Sequence, residues 1–150
     1  MVRGFTVHLG DFRMTDKQSA SEDEAAIRQL IESWTAAVRR RDLEAVLQNH
    51  AAGIVMFDVP PPFQSRGIEA YAKTWDTFFS WSNAPVAFDI TGMTITAGAD
   101  VAFVVATMRC AGAGADGKPE PLDFRLTVGL RKIEGQWTIV HEHHSIPAVD

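Results

Sequence analysis

The residues able to do chemistry cluster in the closing segment Trp137-Thr-Ile-Val-His-Glu-His-His-Ser145 and at one aspartate near the middle of the chain. His141 and His143 stand two apart, so on a strand they share a face. Such a pair can move protons near neutral pH or hold one metal ion. A metal needs a third ligand, and only Asp58 or Asp123 is on offer, so no metal and no cofactor are expected. Asp58 follows the apolar run Gly53–Phe57 and precedes Val59-Pro60. It reads either as a turn residue bonded to local backbone or as a general base at a cavity mouth. Arg125 lies inside a strand pattern, where a buried guanidinium needs a carboxylate or an anionic ligand. Asp58 as base, His143 as acid/base and Arg125 as anion stabiliser form a candidate catalytic set. Trp34, Phe57, Tyr71, Trp75, Thr127, His141 and Ser145 are candidate ligand-lining residues. Plain core packing is the alternative for the aromatics, and local hydrogen bonding for the histidines. Cys110 reads as an inert buried thiol.

Helices must position the first part of this set. Ser21-Glu22-Asp23-Glu24 reads as a capping box. Ile27, Leu30, Ile31, Trp34, Ala37 and Val38 then form one helical stripe, predicting a helix over roughly 22–40. Asp42 suits the N-cap of a second, short helix with Leu43, Val46, Leu47 and His50 inward. Gly53–Phe57 reads as a buried strand, and Pro60-Pro61-Pro62 excludes helix and central strand. A third helix follows Gly67 and breaks at Asn83-Ala84-Pro85. Four strands are then predicted, over Val86–Thr96, Val101–Cys110, Pro121–Lys132 and Gln136–Ile146, with a flexible loop at Ala111–Lys118. Upstream, Phe5, Val7 and Leu9 alternate with polar residues as in a short strand, and Met14–Ser21 reads as a linker. Residues 1–20 are therefore expected to be an arm outside one domain, 21–150.

Lys132–Gln136 resembles a three-residue hairpin loop with Gly135 in the left-handed position. Lys132 would then pair with Gln136, Thr127 with His141, Arg125 with His143 and Asp123 with Ser145. One face would carry Asp123, Arg125, Thr127, Trp137, Ile139, His141, His143 and Ser145, and is expected to line a cavity. The other would carry Leu122, Phe124, Leu126, Val128, Leu130, Val140, Glu142, His144 and Ile146. That apolar face is expected to be covered by a second copy in a homodimer.

Composition narrows the partners. The chain has 150 residues, 14 basic and 19 acidic side chains and a net charge of −5. No basic excess is present to track phosphates, so no nucleic-acid partner is expected. No apolar run approaches the roughly 18 residues of a membrane span, so no membrane partner is expected. No secretory signal is evident, since Thr6, His8, Gly10 and Asp11 interrupt the first segment. One cysteine excludes an internal disulfide and suits a cytoplasmic setting.

Three helices followed by a strand meander form an α+β pattern with segregated elements. Over roughly Ala20–Pro147 it resembles the nuclear transport factor 2-like superfamily, in particular its SnoaL-like and ketosteroid-isomerase-like branches. The carriers are the helix ending Trp34-Thr-Ala-Ala-Val-Arg-Arg-Arg-Asp42, Phe57-Asp58-Val59-Pro60, the helix after Gly67 and the closing Trp137–Ser145 segment. The resemblance implies a cone-shaped antiparallel sheet wrapped on the helices around a central pocket. In a ketosteroid isomerase, the general-base Asp would match Asp58, the oxyanion-hole Tyr would match Trp34, and the protonated oxyanion-hole Asp would fall near Thr127. Both oxyanion donors are changed, which argues against an efficient steroid isomerase. The expected function is proton transfer on an apolar carbonyl-bearing ligand, of isomerase, polyketide-cyclase or dehydratase type. The alternative is a non-catalytic ligand-binding or dimerisation module of the same fold.

Overall fold

The computed structural model describes residues 9–81, 87–113 and 118–148. The predicted break at Asn83–Pro85 and the start of the predicted N-terminal strand lie outside the described residues. So does the centre of the loop at Ala111–Lys118.

Helix α1 runs over Leu9–Arg40, α2 over Leu43–Leu47 and α3 over Ile68–Ser80. The strands are β1 His50–Phe57, β2 Ser65–Arg66, β3 Phe88–Ala97, β4 Val101–Ala113, β5 Pro119–Ile133 and β6 Gln136–Ser145. They form one curved, unclosed sheet in the order β2-β1-β6-β5-β4-β3. β1 runs parallel to β6, and every other neighbouring pair is antiparallel. Irregularities in the β1/β6, β3/β4 and β5/β6 ladders bend the sheet around the helices. This is the α+β architecture expected from the sequence.

The predicted stripe of α1 is its buried face: Ile27, Ile31, Trp34, Ala37 and Val38 are all in the core. Its start is not where the caps suggest. Leu9 to Ala20 is helix, not strand and linker, and Ser21 sits mid-helix rather than at an N-cap. This added length carries the polar, exposed Lys17, Gln18 and Ser19. Exposed polar residues such as these three leave no apolar stripe to read, and an established helix adds turns at low cost. Asp23 serves a tertiary role instead. Its Oδ1 accepts from Trp137 Nε1 at 3.0 Å and pairs with Lys132 Nζ at 2.9 Å, tying α1 to the last hairpin. At the other end, Arg41 enters the left-handed region, φ 60°, and Asp42 N donates to Ala37 O, closing the helix. Asp42 Oδ1 then caps α2 on Ala45 N, as predicted. His50 is not part of that helix; it opens β1.

The last hairpin departs from the predicted register. Ile133 pairs with Gln136, so the turn holds two residues, Glu134 and Gly135, both at positive φ. That is the hairpin turn whose twist suits right-twisted strands. Leu130 then pairs with Ile139, but Gly129 pairs with His141, which leaves Val140 as an extra residue. Thr127 faces His143 rather than His141, and Arg125 faces Ser145 rather than His143. The turn puts Trp137 and Ile139 beside Leu130 on the inner face, and the bulge then turns Glu142 and His144 inward as well.

The two faces therefore exchange the roles expected of them. Phe124, Leu126, Val128 and Leu130 are buried inside the chain's own core and are not a dimer surface. Arg125, Thr127 and His143 are exposed on the outer face. If this assignment holds, Leu126→Ala should cost about 2–5 kcal/mol in denaturant unfolding. Thr127→Ala, one residue away on the outer face, should change stability by no more than about 0.5 kcal/mol.

Candidate functional site

Under the sheet lies a cavity of about 480 Å³, within the size of small-molecule sites. Trp75 and Phe78 from α3, Phe88 from β3, and Leu122 and Phe124 from β5 give it an apolar wall. Cys110 also faces it, with burial and then the Asp58 and Asp123 charges pushing the thiol up to about 11. It is accordingly inert, as the sequence suggests. Two ionisable groups mark the inner wall, Asp58 after β1 and His144 on β6.

His144 Nδ1 lies 4.0 Å from Asp58 Oδ1. Its other nitrogen, Nε2, is 2.9 Å from Glu142 Oε1. Glu142 is fully buried, yet its carboxyl is well supplied with donors. Tyr71 donates its hydroxyl to Oε2 at 2.6 Å, and His50 Nε2 lies 2.9 Å from the same oxygen. Trp34 Nε1 donates to the Tyr71 hydroxyl at 3.2 Å. His50 Nδ1 lies 2.8 Å from the Gln48 carbonyl. One residue from each of β1, α1, α3 and β6 thus reaches the carboxylate directly or through Tyr71.

Electrostatics follow from this geometry. Burial alone would raise the Glu142 carboxyl, but hydrogen bonds and charge from His144 and His50 hold it down to about 2. Burial opposes charge on His144 too; the hydrogen bond and charge of Glu142, with Asp58 behind them, outweigh it and raise its pKa above 6.5. Burial and the neighbouring Glu142 charge push the Tyr71 hydroxyl far up, so it stays a donor. Because an ionised Glu142 can only accept, His144 presents Nε2–H to it and turns Nδ1 toward Asp58 and the cavity.

Of the residues picked out from sequence, the structure brings Asp58 and Trp75 to the cavity wall. Trp34 and Tyr71 lie behind that wall in the Glu142 network. His143 and Arg125 do not join Asp58. Arg125 Nε donates to Ser145 Oγ at 3.0 Å on the outer face, where Thr127 also lies. His141 Nδ1 donates to Val55 O at 2.6 Å, and the Phe57 ring packs edge-on against His141 and His143. For the histidines the physical reason is the parity change at Val140; Arg125 and Thr127 face outward because β5 turns Phe124, Leu126 and Val128 to the core. His50, Glu142 and His144 were not singled out from sequence. One signal did exist: Glu142 and His144 fall on the face read as apolar, where an acid two residues from an imidazole demands a partner.

The chain belongs to the SnoaL-like domain family, whose model matches residues 27–149. It is similar to the crystal structure of an NTF2-like protein of unknown function from Pseudomonas putida KT2440. The two are 35% identical, with 85% of this chain and 89% of that chain covered and a TM-score of 0.77. A nuclear transport factor 2-like superfamily protein from Salmonella enterica serovar Typhimurium shares the fold at 18% identity, covering 86% and 94% of the two chains, TM-score 0.73. So does a ketosteroid isomerase-like protein from Erwinia carotovora, at 22% identity, 81% and 93% coverage and a TM-score of 0.67. Among curated proteins none matches the chain significantly. No helix among the described residues is long and apolar enough to cross a membrane.

The buried network makes stability depend on pH in a defined sense. The Glu142 contribution is present above an ordinary 4.5 and is lost as pH falls from there toward 2. The His144 contribution is full below 6.5 and is lost as pH rises through its raised value. Thermal melts across pH should therefore show highest stability between 4.5 and 6.5, with a decline on each side. In Glu142→Gln the acid-side decline should flatten, and stability should fall by about 3–5 kcal/mol.

Proposed function

We propose that this protein is a small-molecule enzyme that works by proton transfer on an apolar, carbonyl-bearing ligand. The observation that carries the reading is the placement of His144 Nδ1, 4.0 Å from Asp58, on the wall of an aromatic cavity with Nε2 fixed by a buried carboxylate. In this reading Asp58 removes the proton next to the ligand carbonyl. His144, whose pKa the Glu142 carboxylate raises, donates its Nδ1–H to the carbonyl oxygen as negative charge develops there. Glu142 is a positioning residue: it sets the imidazole's orientation and tautomer, as an acid behind a catalytic histidine does. Return of the proton to another carbon gives isomerisation. Attack by the enolate on a second carbonyl gives cyclisation, and loss of a neighbouring hydroxyl gives dehydration. The sequence-based assignment of Asp58 as base is kept, with His144 in the place first given to His143.

A steroid-isomerase oxyanion hole is not supported. The Trp34 N–H is committed to Tyr71, and Thr127 points to the outer face. Among the described residues Trp75 Nε1, on the cavity wall beside His144, is buried without a hydrogen-bond partner, so it is the donor left to share that role with the imidazole.

The probe for this reading is α-proton exchange of 2-tetralone in deuterated buffer, followed by NMR. The protein should accelerate exchange, and His144→Gln and Asp58→Asn should each lower the rate by about 10²-fold or more. Exchange no faster than in buffer, or unchanged in both variants, would favour a non-catalytic binding module. The homodimer reading moves to the row Val101, Phe103 and Val105 on the outer face of β4, each about half exposed. Sedimentation should then show a dimer that Phe103→Asp converts to monomer.

A further inference from the structure

The charges around the cavity do not balance. Besides the protonated thiol of Cys110, four lining residues carry ionisable side chains: Asp58, His144, Arg66 and Lys73. Asp58 and His144 face each other, and Asp58 Oδ1 also accepts from Val59 N at 2.8 Å. Arg66, at the end of β2, and Lys73, on α3, are exposed yet line the cavity, so they stand at its open side. Among the described residues neither makes a hydrogen bond or an ion pair through its side chain. Lys73 has none even with Glu69 or Asp76, its acidic neighbours along α3. Arg39, Arg40, Arg109 and Lys132 each hold an acidic partner; Arg28 and Arg131 do not, but only Arg66 and Lys73 among the unpaired cations line the cavity. In a chain with 14 basic against 19 acidic side chains, two unpaired cations at one cavity mouth are a site waiting for negative charge.

The remainder of the wall sets the rest of the ligand. Trp75, Phe78, Phe88 and Phe124 line the interior, and the half-exposed Trp81 extends the aromatic surface toward solvent. Flat apolar surface is what such a wall holds best. We infer that the cavity takes an amphipathic organic acid: a flat apolar body against the aromatics, with its carboxylate at the mouth between Arg66 and Lys73. This rests on the proposed reading of the cavity as the ligand site and gives its substrate class, an aromatic or polycyclic keto acid. The ligand's carbonyl end meets Asp58 and His144, while its charged end stays partly in water. That division avoids burying the carboxylate, whose desolvation would otherwise cancel the attraction. It also lets the two cations draw the anion in from solution, against the overall negative charge of the chain.

The test is a matched pair of probes, 2-naphthoate and its neutral methyl ester, titrated against the intact protein by tryptophan fluorescence. At about 20 mM salt the acid should bind about tenfold more tightly than the ester, the sum of two exposed charge contacts. At about 500 mM salt, where screening acts within a few ångströms, the two affinities should converge. They should also converge in the Arg66→Gln, Lys73→Gln double variant, whose exposed positions leave folding intact. Equal binding of acid and ester by the unaltered protein would overturn the inference. So would binding of neither probe, or a preference for the acid that survives in the double variant. Each of these leaves the proton-exchange result to stand or fall by itself, because exchange is read on neutral 2-tetralone through Asp58 and His144. Conversely, exchange indifferent to His144→Gln, with the acid preference intact, would remove the catalytic reading and keep the anion site.

Discussion

A single buried carboxylate, that of Glu142, organises this molecule. An ionised acid without solvent contact is tolerated only when donors replace its water. Here the donors come from three separated stretches of chain, His50 on β1, Tyr71 on α3 and His144 on β6. Trp34 on α1 adds a fourth element through the Tyr71 hydroxyl. None of these side chains can be satisfied unless α3 lies against β1 and β1 lies beside β6. The apolar core would allow some sliding of these elements. A carboxylate with fixed partners does not, since a lost donor leaves a buried charge uncompensated.

That carboxylate points inward only because the last hairpin carries two local devices. A two-residue turn at Glu134–Gly135 places Trp137 and Ile139 with Leu130, and the extra residue Val140 then reverses the alternation. Without the bulge, His141 and His143 would face the helices and Glu142 would face solvent. Much was legible in the sequence. The inner stripe of α1, the cap at Asp42 and the strands other than β2 follow from periodicity and turn chemistry, and the superfamily resemblance rests on the segments quoted for it. The composition of each face beyond residue 141 was legible too, since the predicted and observed registers share their parity there. What was not legible is which face turns inward. Gly135 announces a turn but not its length, and a β-branched Val140 looks like any strand residue. The N-terminal extension of α1 escaped because Ser21-Glu22-Asp23-Glu24 has the form of a helix start, yet it stands mid-helix.

The exchange of faces also corrects the chemical reading in an instructive direction. Arg125, Thr127, His141, His143 and Ser145 look like an active site in a list of residue types. On the outer face they find modest partners, a serine hydroxyl and a backbone carbonyl. Exposed polar groups need no other explanation, since water satisfies them. The inner set is smaller and more demanding, and its members cannot be satisfied by solvent. Function on this fold is a property of the site and not of the architecture, which is shared by proteins with quite different residues around the pocket. A steroid-isomerase arrangement would place two proton donors around an oxyanion, whereas here Trp34 and Tyr71 are turned to the support of a carboxylate.

Stability and the proposed chemistry therefore draw on the same interaction. Glu142 raises the proton affinity of His144 and is itself held ionised by that proton. The pairing fixes Nδ1 toward Asp58 but also moderates the acidity of the imidazolium, because every interaction that stabilises the charged ring opposes release of its proton. A ring so held is better suited to donating a strong hydrogen bond to a developing oxyanion than to giving its proton away completely. Asp58 has no such buried anchor; its side chain is 25% exposed and bonded to the backbone of its neighbour. The division of labour follows from the surroundings of the two groups. In the proposed reaction the mobile proton would fall to Asp58, the more exposed of the two, and the oriented N–H to His144.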